Sequence, residues 1–315
     1  MTEPAVRLED VRHAYGAVAS LRGLSLAVRP GELYGLVGPD GAGKTTAMRL
    51  AAGVMAPASG TVRVGGLDPL DARTGVRETL GYMPQRFSLY GDLSVGENLR
   101  FFGDLFCLDR AVFRSRRDRL LGLTRLAPFV DRRADALSGG MYKKLALAVA
   151  LLHEPAVLLL DEPTNGVDPV SRAELWDLLY EFAARDMAIV VTTSYMDEAD
   201  RCTRVGLLHQ GALLAEGRPV DLVAGFGDAV LRVEPAAGAP ADAAAFDATL
   251  AGLGDAIVAV TPLGNGLRVV VRAAARDAAM RGLAAAGART TPVRPAFEDL
   301  FLSRVAAAPG GPEAS

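Results

Sequence analysis

Gly38, Pro39, Asp40, Gly41, Ala42, Gly43, Lys44, Thr45 and Thr46 stand in the order G-x-x-x-x-G-K-[ST]. Glycines in such a run let backbone N–H groups turn toward phosphate oxygens, and a helix start just after them adds partial positive charge. Lys44 then suits the β- and γ-phosphates of a nucleoside triphosphate, and the Thr45 hydroxyl suits Mg²⁺. Lysine is scarce here: of 34 Lys and Arg residues only Lys44, Lys143 and Lys144 are lysines. Asp40 places a carboxylate inside the phosphate loop, which is compatible only with a side chain pointing outward. Further on, AVLLLDEPTNGVD (156–168) ends an apolar run in two carboxylates. Asp161 at the strand end suits Mg²⁺ held through water, and Glu162 suits polarising an attacking water. Either alone also reads as a solvated charge, but beside a phosphate loop the pair points to hydrolysis.

These residues need a scaffold of strand, turn and helix. LYGLV precedes the phosphate loop and AMRLAAGVM follows it, as that motif requires. Residues 1–37 read as short strands, AVRLEDV, LSLAV and LYGLV, with a turn at Pro30-Gly31. Apolar runs at 156–160 and 188–193 lie between helical stretches, a pattern of a mostly parallel sheet covered by helices. SVGENLRFFGDLF opens with a capping box, Ser94 to Glu97, and begins an inserted helical subdomain over about 88–150. From about residue 226 the composition turns to Ala, Pro and Gly. DAIVAV and GLRVVVR then alternate with Ala-rich helices, so 226–304 is expected as a small C-terminal α+β domain after a first domain at 1–225. Residues 305–315 read as a disordered tail.

Bulk properties narrow the class. A net charge of −3 over 315 residues exerts no general pull on nucleic acid or anionic lipid. Cys107 and Cys202 lie too far apart for metal-type spacing and read as a reduced pair. Glu3, Arg7 and Glu9 interrupt the N-terminus, so no signal peptide is expected, and no charge-free apolar stretch is long enough to span a bilayer.

Between the two phosphate-handling strings lies LSGGMYKKLALAVALLHEP (137–155). With it, residues 5–220 resemble the ATP-binding cassette (ABC) ATPases. LSGGM is similar to the family's signature motif, with Met141 where glutamine is more frequent. The resemblance implies a P-loop α/β fold with a mixed, mostly parallel sheet, N-terminal antiparallel strands and the helical insertion. It implies ATP and Mg²⁺, and a homodimer or a heterodimer with a second ABC ATPase. In that dimer Ser138, Gly139 and Gly140 would grip the γ-phosphate on the opposite subunit; as a local element, Ser138 also reads as a helix N-cap. Tyr15 in HAYG resembles the aromatic that stacks on adenine, or is a strand-edge tyrosine. Gln85 in YMPQRFSLYGDLSVGENL resembles the glutamine whose amide reaches Mg²⁺. Asp168 resembles an aspartate at the dimer seam and is also an N-cap ahead of Pro169.

One position departs from the pattern. After AIVVTT (188–193) the family carries a histidine that contacts the γ-phosphate; here stands Ser194. Ser194 with Asp197 reads locally as a capping box. A hydroxyl offers no cationic donor, so the expectation is firm ATP binding and slowed hydrolysis.

YMPQRFSLYGDLSVGENL and LSGGM are closest to the ATPase subunits of ABC-2-type exporters, including drug exporters, as is PAFEDLFLSR (295–304). In the latter Phe297, Leu300 and Phe301 form one apolar face, read as packing on their own domain. The resemblance implies a membrane-spanning permease partner and a peripheral place on the cytoplasmic side of the membrane. Alternatives are a soluble ABC ATPase, disfavoured because no basic nucleic-acid patch is evident, and an ATP-sensing regulator, disfavoured by the intact Asp161 and Glu162.

Overall fold

A computed structural model describes residues 3–86, 89–235 and 243–307, with the backbone alone at 243–247. The chain divides into two compact units, Met1–Glu216 and Gly217–Ser315. The first begins with β1 (Val6–Tyr15), β2 (Val18–Val28), β3 (Leu33–Val37), α1 (Lys44–Ala51), β4 (Ser59–Val64) and β5 (Leu80–Met83). Three helices follow, α2 (Val95–Leu105), α3 (Arg110–Thr124) and α4 (Gly139–Leu151). The unit is completed by β6 (Val157–Asp161), α5 (Pro169–Ala183), β7 (Ala188–Thr193), β8 (Arg204–His209) and β9 (Ala212–Gly217).

β1 pairs antiparallel with β2 and β4 in a three-stranded sheet. The other sheet runs β5-β6-β7-β3-β8-β9, and β5, β6, β7, β3 and β8 are parallel. Every residue of β3, β6 and β7 is buried, as expected of strands covered on both faces. Parallel strands present their carboxyl ends on one side, so the phosphate loop after β3, the carboxylates after β6 and Ser194 after β7 share an edge. The segment between β5 and β6 contains α2, α3 and α4 and, among the described residues, no strand. At its start the Glu97 N–H donates to Ser94 Oγ (3.1 Å) and the Ser94 N–H to Glu97 Oε2 (2.8 Å), the capping box read from the sequence.

In the second unit a short helix, α6 (Pro219–Ala224), precedes β10 (Ala229–Pro235), α7 (Ala243–Leu253), β11 (Ile257–Leu263), β12 (Gly266–Val271), α8 (Arg276–Ala285), β13 (Ala288–Pro292) and α9 (Phe297–Ala307). The strands form an antiparallel sheet ordered β11-β12-β10-β13, the split β-α-β arrangement. Leu231, Val233, Val269, Val271, Ala279 and Leu283 make its core. α9 packs on β11 and α6 and buries Phe297, Leu300 and Phe301. Arg268 forks onto Asp299 beneath that helix, at 2.8 and 2.6 Å. α6, ahead of the compositional change near 226, packs on α9 within the second unit. Residues 305–307, read as the start of a tail, continue α9, and 308–315 lie outside the described residues. No described helix is long and apolar enough to cross a membrane.

The two cysteines sit in opposite environments. Cys107 is exposed, whereas Cys202 is buried and its thiol is pushed up to about 12 by desolvation and by Glu198. A thiol reagent at pH 8 is expected to titrate one thiol in the native protein, lost in Cys107→Ser, and the second only in denaturant. Two fast thiols would contradict this burial.

Candidate functional site

The phosphate loop leaves β3 at Gly38 and enters α1 at Lys44. Gly43, the residue before the helix, adopts φ 108°, and a Cβ there would sit 2.5 Å from the Ser20 carbonyl, so only glycine fits. Ala42 is buried behind the loop, its N–H on the Pro39 carbonyl at 3.2 Å. Lys44 is 4% exposed and its Nζ donates to the carbonyls of Gly38 (2.8 Å) and Pro39 (3.0 Å). The same ammonium pairs with Glu162 Oε1 at 3.0 Å. Asp40 points outward, 92% exposed along its side chain, with Oδ1 still 3.9 Å from Lys44. Ser20 and Thr46 join hydroxyls at 2.7 Å on the floor of the site.

Asp161 ends β6 fully buried. Its Oδ1 accepts from Thr45 Oγ1 (3.1 Å) and from Thr192 Oγ1 (2.7 Å), while Oδ2 is buried with no hydrogen-bond partner. That orphaned oxygen next to the Thr45 hydroxyl fits a hard cation such as Mg²⁺. Among the described residues no cluster of three or more His, Cys, Asp or Glu could hold a metal alone, so phosphate oxygens would have to complete the shell. Glu162 follows in the left-handed region, φ 49°. Its N–H is held by Thr192 Oγ1 (2.9 Å), and its Oε2 accepts from Asn165 Nδ2 (3.2 Å) and, more loosely, Gln85 Nε2 (3.5 Å). Thr192, register partner of Asp161 across β6 and β7, thus fixes both carboxylates.

Ser20, Asp40, Gly41, Gly43, Lys44, Thr45, Thr46, Gln85 and Glu162 line an open cleft of about 280 Å³. Tyr15, Ser138, Gly139, Gly140 and Ser194 do not line it. Tyr15, 47% exposed, closes β1 and sets its hydroxyl on Met55 Sδ. Ser138 caps α4 by accepting the Met141 N–H at 3.3 Å, its local reading. Gly140 is required by packing, because a Cβ would lie 2.5 Å from Ser171 Oγ. Asp168 caps α5 by accepting from Val170 and Ser171, at 3.1 and 2.9 Å.

The capping box expected at Ser194 and Asp197 does not form. Tyr195 remains extended and the chain enters a 3₁₀ turn at Met196–Arg201 with no side-chain cap; the Tyr195 N–H bonds Thr193 Oγ1 instead (3.0 Å). Ser194 is half-buried, and its hydroxyl makes no hydrogen bond among the described residues. Beneath it lies a polar knot. Glu198, fully buried, accepts from Thr193 Oγ1 (2.6 Å), Thr164 Oγ1 (3.0 Å) and Trp176 Nε1 (3.3 Å), with Arg172 at 3.8 Å.

Sequence reasoning passed over Thr192, Asn165, Ser20 and Glu198. Thr192, Ser20 and Glu198 act through hydrogen bonds that are mostly to residues distant in sequence, and Asn165 sits inside a string read for its neighbours. The scarcity of lysine was the available signal for Lys143, whose Nζ reaches the carbonyls of Gln85 (3.2 Å) and Glu162 (3.4 Å).

A phosphate loop after β3 of the mostly parallel sheet, with a buried and partly orphaned carboxylate at the end of β6 across β7, is the arrangement of a P-loop nucleotide-binding protein. The comparisons narrow this. The ABC transporter family model matches residues 21–165. The Nod factor export ATP-binding protein I of Paraburkholderia xenovorans (strain LB400) is 42% identical over 226 residues, 71% of this chain and 74% of that protein. The chain therefore belongs to the ATP-binding cassette family of ABC transporters. The probable multidrug ABC transporter ATP-binding protein YbhF of Escherichia coli (strain K12) is 50% identical over 196 residues, 62% of this chain; the match spans only 34% of that longer protein. Among solved structures, an ATP-binding subunit of an ABC transporter aligns with a TM-score of 0.65 at 29% identity, covering 71% of this chain and 93% of its own.

Glu198→Ala is expected to lower unfolding stability by about 3 kcal/mol, since it strands three donors in the interior. Urea denaturation checks this; a loss under about 0.5 kcal/mol would mean that the knot is not a structural tie.

Proposed function

We propose that this chain is the ATP-hydrolysing subunit of an ABC exporter, acting as a dimer on a separate membrane-spanning permease from the cytoplasmic side. The observation that carries it is one cleft holding Lys44, Thr45, Gln85 and Glu162 with Asp161 directly behind, in a chain whose relatives are named for multidrug and Nod factor export. Nucleic acid is not a partner in this reading.

ATP enters with its phosphates on the backbone N–H groups of Asp40–Thr46. Lys44 exchanges Glu162 for the β- and γ-phosphates, which frees the carboxylate. Glu162, fixed by Thr192 and Asn165, then accepts a proton from the attacking water. Thr45, Asp161 and Gln85 are the residues that would hold Mg²⁺, which supplies charge neutralisation at the phosphates. Tyr15 offers its exposed ring to the adenine. Ser138, Gly139 and Gly140 at the start of α4 cap the γ-phosphate of the other subunit, so nucleotide closes the dimer and the closure drives the permease.

Ser194 gives this site a neutral donor where a cation would stabilise developing charge, so the site turns over slowly. A second, complete ATPase subunit would compensate for it. In steady-state assays with Mg²⁺, Glu162→Gln is expected to lower kcat by at least about 10²-fold, and Ser194→His to raise it about tenfold or more. Turnover unchanged in Glu162→Gln would overturn the hydrolytic role. No gain in Ser194→His would mean that the serine does not limit the rate.

A further inference from the structure

We infer that Lys143 is a positioning residue for hydrolysis: from the signature helix α4, its ammonium seats the catalytic turn at Glu162 and the loop at Gln85 against each other. It donates to the main-chain carbonyl of Gln85 at 3.2 Å and to that of Glu162 at 3.4 Å. Three segments distant in sequence therefore meet on one nitrogen: the residues after β5, the turn after β6, and the first turns of α4. This rests on the reading of Glu162 as the hydrolytic carboxylate, and it adds a device that sets where that carboxylate stands.

The turn needs such a device. Glu162 adopts φ 49°, a conformation unfavourable for a residue with a side chain, and it persists only where its surroundings over-determine it. Thr192 secures the Glu162 N–H at 2.9 Å, and Lys44 and Asn165 secure the carboxylate at 3.0 and 3.2 Å. The carbonyl accepts the Asn165 N–H within the turn at 3.3 Å, and Lys143 adds the tie that reaches it from α4. When nucleotide draws Lys44 away, the Lys143 contact is to the main chain and does not compete for phosphate, so it persists through the exchange.

The choice of lysine is informative in a chain with 31 arginines among its 34 basic residues, the other three being Lys44, Lys143 and Lys144. Two carbonyls converging from different segments suit a compact ammonium with rotatable donors better than a planar fork. The group is half-buried, and desolvation draws its pKa down while Asp161 and Glu162 act to keep it charged. A lysine on a solvated face would show neither the burial nor the paired acceptors.

Lys143→Met keeps the stem and removes the donors; Lys143→Arg keeps the charge. In the nucleotide-free full-length protein, hydrogen–deuterium exchange of peptides containing Gln85 and Glu162 is expected to rise about tenfold in Lys143→Met, as loss of a charged hydrogen bond implies. Peptides of β10–β13 should not change, and the thermal midpoint should fall by no more than about 5 °C. The same variant should lower kcat about tenfold with the Kd for fluorescent ATP within about twofold, and Lys143→Arg, which keeps the charge but not the compact donor, should recover only part of both effects. Unchanged exchange at both peptides would overturn the proposal, as would a kcat loss that only tracks a fall in midpoint or affinity. A wild-type protein without Glu162-dependent turnover would refute the hydrolytic reading instead, and the exchange measurement would still decide the part played by Lys143.

Discussion

The site depends on how a buried cation is neutralised before its substrate arrives. Lys44 and Glu162 are almost fully enclosed, 4% and 5% exposed along their side chains, and stand 3.0 Å apart. Burying either charge alone would be costly, so each makes the other's position tenable. The pair ties the loop after β3 to the turn after β6, and in the proposed reading it keeps the carboxylate occupied until nucleotide arrives. Removing one partner would therefore alter both the stability of the site and its affinity for phosphate.

The parallel sheet makes that pair possible. β3 and β6 both register on β7, so their carboxyl ends finish on one edge, one strand apart. Thr192 on the intervening strand uses one hydroxyl to donate to Asp161 and to accept from Glu162. Below, Glu198 gathers Thr193, Thr164 and Trp176, linking the end of β7 to the segment that leads into α5. Around Ser194 the chain thus has a firm base, while the Ser194 hydroxyl makes no hydrogen bond among the described residues.

Much of this was legible because it is written in contiguous residues. The phosphate loop, the Asp161-Glu162 pair and the Ser94–Glu97 capping box are short-range devices whose geometry follows from spacing. The strands β4, β5, β8, β9, β10 and β13 went unread because each is brief or weakly patterned and gains its place from partners elsewhere: Ser59–Val64 from β1, Leu80–Met83 from β6, Arg204–His209 from β3, Ala212–Gly217 from β8, and the last two from each other and from β12. Thr192 read as one more β-branched residue in a buried strand. The Ser194–Asp197 spacing suggested a cap that the fold declines, because Thr193 satisfies the Tyr195 N–H first and the helical turn starts later.

The most direct test of the ion pair as the gate of this site is equilibrium binding of a fluorescent ATP analogue to wild type and to Glu162→Gln, without any requirement for turnover. If nucleotide must take Lys44 from Glu162, removing the competing carboxylate should tighten binding by about tenfold. Affinity unchanged or weakened in Glu162→Gln would mean that Lys44 is not held in reserve by that carboxylate, and the central claim would fall.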